Sequence, residues 1–154
     1  MEYMSQEGYD RLVAELHELE SVELPRVKEA IAEARDKGDL SENFEYHAAK
    51  REQGRLLSRI RFKQRVLANA RVLDTSRLGT DSVQLLSKVE MTNLANGSRM
   101  TYTIASPHEA NIHEGKISVK SPIAQALLGK HVGDVVEVRV PAGVMKLQIS
   151  GLSL

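Results

Sequence analysis

The 154-residue sequence contains no cysteine and no tryptophan. Without thiols there is no disulfide scaffold and no thiolate metal site, so a metal would have to be held by oxygen rather than sulfur. Aromatic residues make up only 4% of the chain, too few for a stacked platform that would hold single-stranded nucleic acid. Neither sign of charge dominates: 21 Lys and Arg face 21 Asp and Glu. A neutral chain does not wrap DNA by bulk charge, because domains that do so are usually basic. No run of eighteen apolar residues occurs, so no membrane span is expected. The N-terminus, Met1 to Asp10, lacks the basic and apolar regions of a signal peptide. What is present, 42% hydrophobic and 27% charged residues, is the composition of a globular protein. The expectation is a cytoplasmic protein with no membrane partner.

The neutral total hides an asymmetry. Residues 1–74 carry 13 Lys and Arg against 15 Asp and Glu, whereas residues 75–154 carry 8 against 6. Only Gly8, Gly38 and Gly54 of the ten glycines lie in the first part. High charge density without glycine, followed by low density with glycine, indicates two architectures. The expected division is 1–74, a linker at 75–82 with loop composition, and 83–154.

The first part has helical spacing. Tyr9, Leu12, Leu16 and Leu19 form one apolar stripe, and Leu24, Val27, Ile31 and Ala34 form another, each at steps of three and four. Ser5 reads as the N-cap of this arm. The five-residue step from Leu19 to Leu24, beside Pro25, shifts the phase. A kinked continuous helix is expected there, with two separate helices as the alternative. A second stripe runs Tyr46, Ala49, Gln53, Leu56, Ile60, Lys63, Leu67 and Ala70, a heptad-like pattern. Few residues separate the arms, so they must run antiparallel. About thirty residues at about 1.5 Å each give a rod of roughly 45 Å.

Two features stand out from the solvated charges of such a rod. Asp39 and Glu42, three apart at the tip, read either as a capping box or as a divalent-metal pair. Two carboxylates are too few to hold Mg²⁺ tightly alone, but they can complete a site on another molecule. Arg51, Arg55 and Arg59 recur every four residues on one helix face. They read either as partners of acidic residues on the first arm or as contacts to a phosphate backbone.

The second part reads as strands at Val83–Thr92, Ser98–Ala105, Gly115–Lys120, Val135–Val140 and Met145–Ser150, with a hairpin turn at Asn96-Gly97. Ser121, Pro122 and Gly129 are placed as N-cap, first helical residue and C-terminal stop of one short helix. The expected fold class is α+β: an N-terminal antiparallel two-helix coiled coil followed by a small antiparallel β-sheet domain with one short helix. No catalytic constellation is found in this part. His108 and His113, without a third ligand nearby, read as surface histidines.

The tip sequence Ile31-Ala-Glu-Ala-Arg-Asp-Lys-Gly-Asp-Leu-Ser-Glu-Asn43, followed by Glu45-Tyr-His-Ala-Ala-Lys50, closely resembles the bacterial GreA/GreB transcript-cleavage factors. The resemblance continues through Asn69–Asp74, Ser118–Ala124, Leu127–Lys130 and Gly133–Val138, in the same order over essentially the whole chain. Departures from the family pattern are Ser41, where relatives often have Lys, Phe44, where Ala is common, and Pro141-Ala142-Gly143, which stands in place of Pro-Gly-Gly.

The resemblance implies that the second domain is FKBP-like and docks on bacterial RNA polymerase beside its secondary channel, with Ser121 and Pro122 as docking candidates. The coiled coil enters the channel. Asp39 and Glu42 help hold catalytic Mg²⁺ in the polymerase active site, and the polymerase cleaves its own backtracked RNA. The nascent RNA 3′ end is the partner within that complex. Arg35, which matches a family arginine just before the tip, is an RNA-contacting candidate, and Arg51, Arg55 and Arg59 are candidates, from their spacing, for holding the extruded RNA through its phosphates. By this reading the chain is a monomer, binds no Mg²⁺ stably by itself and is not an enzyme alone. A channel-occupying regulator without cleavage is the second reading. A prolyl isomerase is the third, and Tyr102, the only Tyr or Phe of this part, is too little for an aromatic proline pocket.

Overall fold

A computed structural model describes residues 2–39 and 43–154. The chain divides into two compact units: Gln6–Ala70, and Glu2–Ser5 together with Arg71–Leu154.

The first unit is a helical hairpin. Helix α1 spans Gln6–Glu18, a π-helical segment spans Leu19–Glu23, and α2 spans Leu24–Arg35. The path stays helical throughout, with Glu23 and Leu24 both at right-handed helical angles. Of the two alternatives at Pro25, continuity holds. The Leu24 N–H donates to the Leu19 carbonyl, an i→i+5 bond that widens the turn. That wider turn answers the five-residue step, and both Leu19 and Leu24 reach one core. Pro25, at the start of α2, has no N–H and removes a rung of the ladder where α-type bonding would otherwise resume.

Helix α3 spans Phe44–Asn69. Contacts between the arms pair rising numbers on the first with falling numbers on the second. Glu15 meets Lys63 at 2.8 Å, Arg26 meets Glu52 at 2.7 Å, and Ala34 meets Asn43 at 2.5 Å. The arms are therefore antiparallel. Their seam buries Leu19, Val27, Ile31, Ala49, Leu56 and Ile60. Lys63, which interrupts the apolar stripe, is half-buried and sets its charge on Glu15.

In the second unit, strands β3 (Lys88–Asn93), β4 (Arg99–Ala105), β5 (Lys116–Ser118), β6 (Val135–Val140) and β7 (Gly143–Ser153) form one sheet in the order β5-β4-β3-β7-β6. Three of its pairings are antiparallel, but β4 and β5 run parallel, with Ile104 opposite Ile117. The sheet is thus mixed, which corrects the all-antiparallel expectation. Residues 106–115 between β4 and β5 carry the chain back along the sheet edge instead of closing a hairpin, and Asn111 bridges Lys116 at the entry to β5. Helix α4 (Pro122–Leu127) buries Ala124 and Leu127 against Val89, Met91, Ile104 and Leu147. On β6, Val136 and Val138 face this core while Val135, Glu137 and Arg139 face out, the two-residue alternation of a half-buried strand.

The strand expected from Val83 begins only at Lys88. Val83 is instead tied to the end of α4: its N–H donates to Lys130 and its carbonyl accepts from Gly129. A further strand, β1 (Glu2–Met4), not expected from the pattern of residues, forms a two-stranded sheet with β2 (Ala70–Val72). Ser5, expected as the cap of α1, gives its backbone N–H to Glu109 at 3.0 Å and its hydroxyl to the same carboxylate. No described helix is long and apolar enough to cross a membrane.

Candidate functional site

The end of the hairpin is closed from both sides by one side chain. Asn43 is the N-cap of α3: its Oδ1 accepts the Tyr46 N–H at 3.0 Å. Its Nδ2 donates to the Ala34 carbonyl at 2.5 Å, at the end of α2. One amide thus satisfies an orphan donor of one helix and an orphan acceptor of the other. The N-cap of α3 is Asn43 and not Asp39, which corrects that half of the capping-box reading; its other half, Glu42, lies outside the described residues. Asn is a preferred cap residue and stands just before the periodic run from Tyr46, a signal that the sequence reading passed over. Asp39 is accordingly not the N-cap.

Asp39 is exposed. It follows Gly38, whose φ of 143° is one that a residue with a Cβ rarely adopts. Asp39 shares a shallow hollow of about 460 Å³ with Lys37, Gly38, Asn43, Phe44 and Glu45. Lys37 Nζ lies 3.0 Å from Glu45 Oε2. That hydrogen bond, with the attraction of the two charges, raises the Lys37 pKa above the ordinary lysine value. Glu42 lies outside the described residues. Arg35 sits at the last turn of α2 with its guanidinium 6.0 Å from the centroid of the Tyr46 ring, a cation–π distance. This contact spans the two arms just behind the tip.

The basic stripe lies along α3. Arg51, Arg55 and Arg59 are all exposed. Among the described residues, none of the three is in an ion pair, whereas Lys63 and Arg26 hold Glu15, Glu23 and Glu52. The cross-arm pairing that explained the stripe as structural is made by other cations. Arg59 differs from the other two, since it lines a groove of about 740 Å³ with Glu15, Glu18 and Glu23. Arg51 and Arg55 are the two whose charge is left to solvent.

In the second unit Ser121 caps α4, its Oγ accepting the Ala124 N–H at 3.3 Å, and Pro122 opens the helix exposed. These two residues sit together at a helix start, and both are in the unit that does not contain the tip. His108 is held by Glu2 at 2.9 Å.

Comparison with known proteins covers both units. The family described as "Transcription elongation factor, N-terminal" matches residues 2–72. The family described as "Transcription elongation factor, GreA/GreB, C-term" matches residues 78–153. The chain is 50% identical to the transcription elongation factor GreA of Christiangramia forsetii, over 96% of this chain and 93% of that protein. It is 48% identical to that of Flavobacterium johnsoniae over the same shares. Among solved structures, the GreA factor homolog 1 of Thermus thermophilus is similar at 28% identity, covering 99% of this chain and 98% of that one, with a TM-score of 0.45.

Proposed function

Because this chain belongs to the GreA/GreB family of transcription elongation factors, we propose that it acts inside bacterial RNA polymerase, stimulating the polymerase to cleave its own backtracked RNA. The observation that carries the reading is the exposed Asp39 carboxylate at the end of a long, closed helical hairpin. Helix α3, with 26 residues, is about 39 Å long at 1.5 Å per residue. That reach suits a buried active site at the end of a channel.

Asp39 fits the group it would serve. Its carboxylate oxygens are hard donors, the kind that Mg²⁺ takes from proteins one or two at a time. With Glu42, it would hold Mg²⁺ jointly with carboxylates of the polymerase. Bound there, Mg²⁺ would supply an activated water and neutralise charge on the phosphate under attack. The chain's own part is to bring Asp39 to that place. Asn43 fixes the helix ends behind it, and Gly38 lets the backbone turn. Arg51 and Arg55 hold RNA phosphates along the rod. Arg35, which faces the Tyr46 ring, would meet the RNA end from just behind the tip.

The second domain docks on the polymerase, with the α4 start at Ser121 and Pro122 as its contact. The chain is thus a cytoplasmic, monomeric activator in trans and not an enzyme by itself. The test is RNA cleavage in stalled, backtracked complexes by the wild type and by Asp39→Ala and Glu42→Ala. Loss of stimulation with retained polymerase binding is expected. Full stimulation by both variants would refute the metal role. Scoring elongation in the same reactions separates a cleavage factor from a protein that only occupies the channel.

A further inference from the structure

Phe44 is 88% exposed, the most exposed large apolar side chain among the described residues. It is the first residue of α3, so its backbone is fixed by the Asn43 cap beside it. Two residues on, Tyr46 packs against the hairpin core. A two-residue step is about 200° around a helix, so Phe44 cannot reach that core without unwinding the first turn. The ring is therefore held out from the rod.

The surroundings of the ring narrow what would cover it. Phe44 and Asp39 line the same hollow, and Phe44 is the only apolar side chain among its described lining residues. A protein partner packing by apolar contact would be expected to meet a patch, and among the described residues lining the hollow there is a single flat ring. A phosphate is also disfavoured. Asp39 and Glu45 are acidic, and Lys37, the cation at this lip, is already paired with Glu45. A nucleobase satisfies both conditions, being flat, neutral and able to stack on one aromatic ring without neighbours. The low aromatic content that excludes a stacking platform does not exclude one ring at one position.

We infer that Phe44 stacks on the base at the 3′ end of the RNA presented to Asp39, and so positions that nucleotide for cleavage. The inference rests on the proposed function. Phe44 touches the substrate base and not the bond that breaks. Its contribution depends on the ring's π-face and not on its bulk.

Three variants separate these properties: Phe44→Ala, Phe44→Leu and Phe44→Trp. The first two readouts are polymerase binding and cleavage rate in a backtracked complex. The third is the emission of 2-aminopurine placed at the RNA 3′ end, which stacking changes and which needs no cleavage. Wild type and Phe44→Trp are expected to alter the emission and cleave well. Phe44→Ala and Phe44→Leu should leave the emission unchanged and cleave about tenfold more slowly, with polymerase binding intact. Wild-type behaviour of both would overturn the inference. So would full rescue by Leu, which would make the ring an apolar contact to protein. If the wild type stimulates no cleavage in any complex, the proposed function falls, and the emission change still decides whether Phe44 stacks on RNA.

Discussion

The side-chain amide of Asn43 donates to the carbonyl of Ala34 at 2.5 Å and so joins the end of α2 to the start of α3. The same side chain caps α3 through the Tyr46 N–H. Behind it, Arg35 reaches the Tyr46 ring. The tip is thus anchored by contacts made within a few residues of it.

Replacing Asn43 should loosen the tip first. Asn43→Ala removes both bonds and is expected to cost about 1–2 kcal/mol, the upper range for a helix cap. Asn43→Asp keeps an acceptor for the Tyr46 N–H but sets a carboxylate oxygen against the Ala34 carbonyl. It should restore protection of the Tyr46 amide without restoring full stability. Hydrogen exchange at Tyr46 together with urea unfolding distinguishes the two effects, and equal loss of protection in both variants would contradict the capping role.

Removing one tip carboxylate should raise the demand for metal. In the cleavage reaction Asp39→Asn is expected to lower the rate by about 100-fold at fixed Mg²⁺, the scale for losing one preorganised electrostatic group. The Mg²⁺ concentration for half-maximal rate should rise as well. An unchanged Mg²⁺ requirement with a lowered rate would assign Asp39 to positioning instead.

Arg51 and Arg55 are exposed and in no ion pair among the described residues. Their replacement by Ala should change stability by less than about 0.5 kcal/mol. If they hold phosphates, RNA crosslinking to the hairpin should become less sensitive to salt. For single strands the slope of log affinity against log salt should flatten by about 0.7 for each phosphate that is no longer neutralised. An unchanged slope would return both residues to the role of solvated surface charge.

Asp134 accepts the His131 N–H at 2.8 Å in the turn before β6. That backbone bond, chiefly, holds its pKa below the ordinary carboxylate value. The folded-state pKa is thus lower than the unfolded one. The stabilisation is complete above the unfolded value and is lost as pH falls through the folded one. Asp134→Asn should therefore be less stable than wild type at neutral pH, and the gap should narrow in acid. Melting temperatures across that range test the sign, and a gap that widens in acid would contradict it.

The sequence by itself determined the elements whose cause is local. The three-and-four spacing of Leu12, Leu16 and Leu19, and of Val27 and Ile31, fixed the apolar face of the first arm. Asn96-Gly97 fixed a turn, with Gly97 at φ 72°, and Ser121, Pro122 and Gly129 bounded α4. The tip motif from Gly38 to Tyr46 pointed to the family without any geometry. Only the tertiary structure decided what depends on distant partners. Strand β1 has three residues, too few for a periodic signal, and its partner β2 lies more than sixty residues away. The direction of β5 follows from the path of residues 106–115, not from its own three residues. The π turn at Leu19–Glu23 arises because two apolar faces must meet one opposing helix across a five-residue step. Short segments carry too little local free energy to choose a conformation, so long-range pairing and the shared core choose it for them.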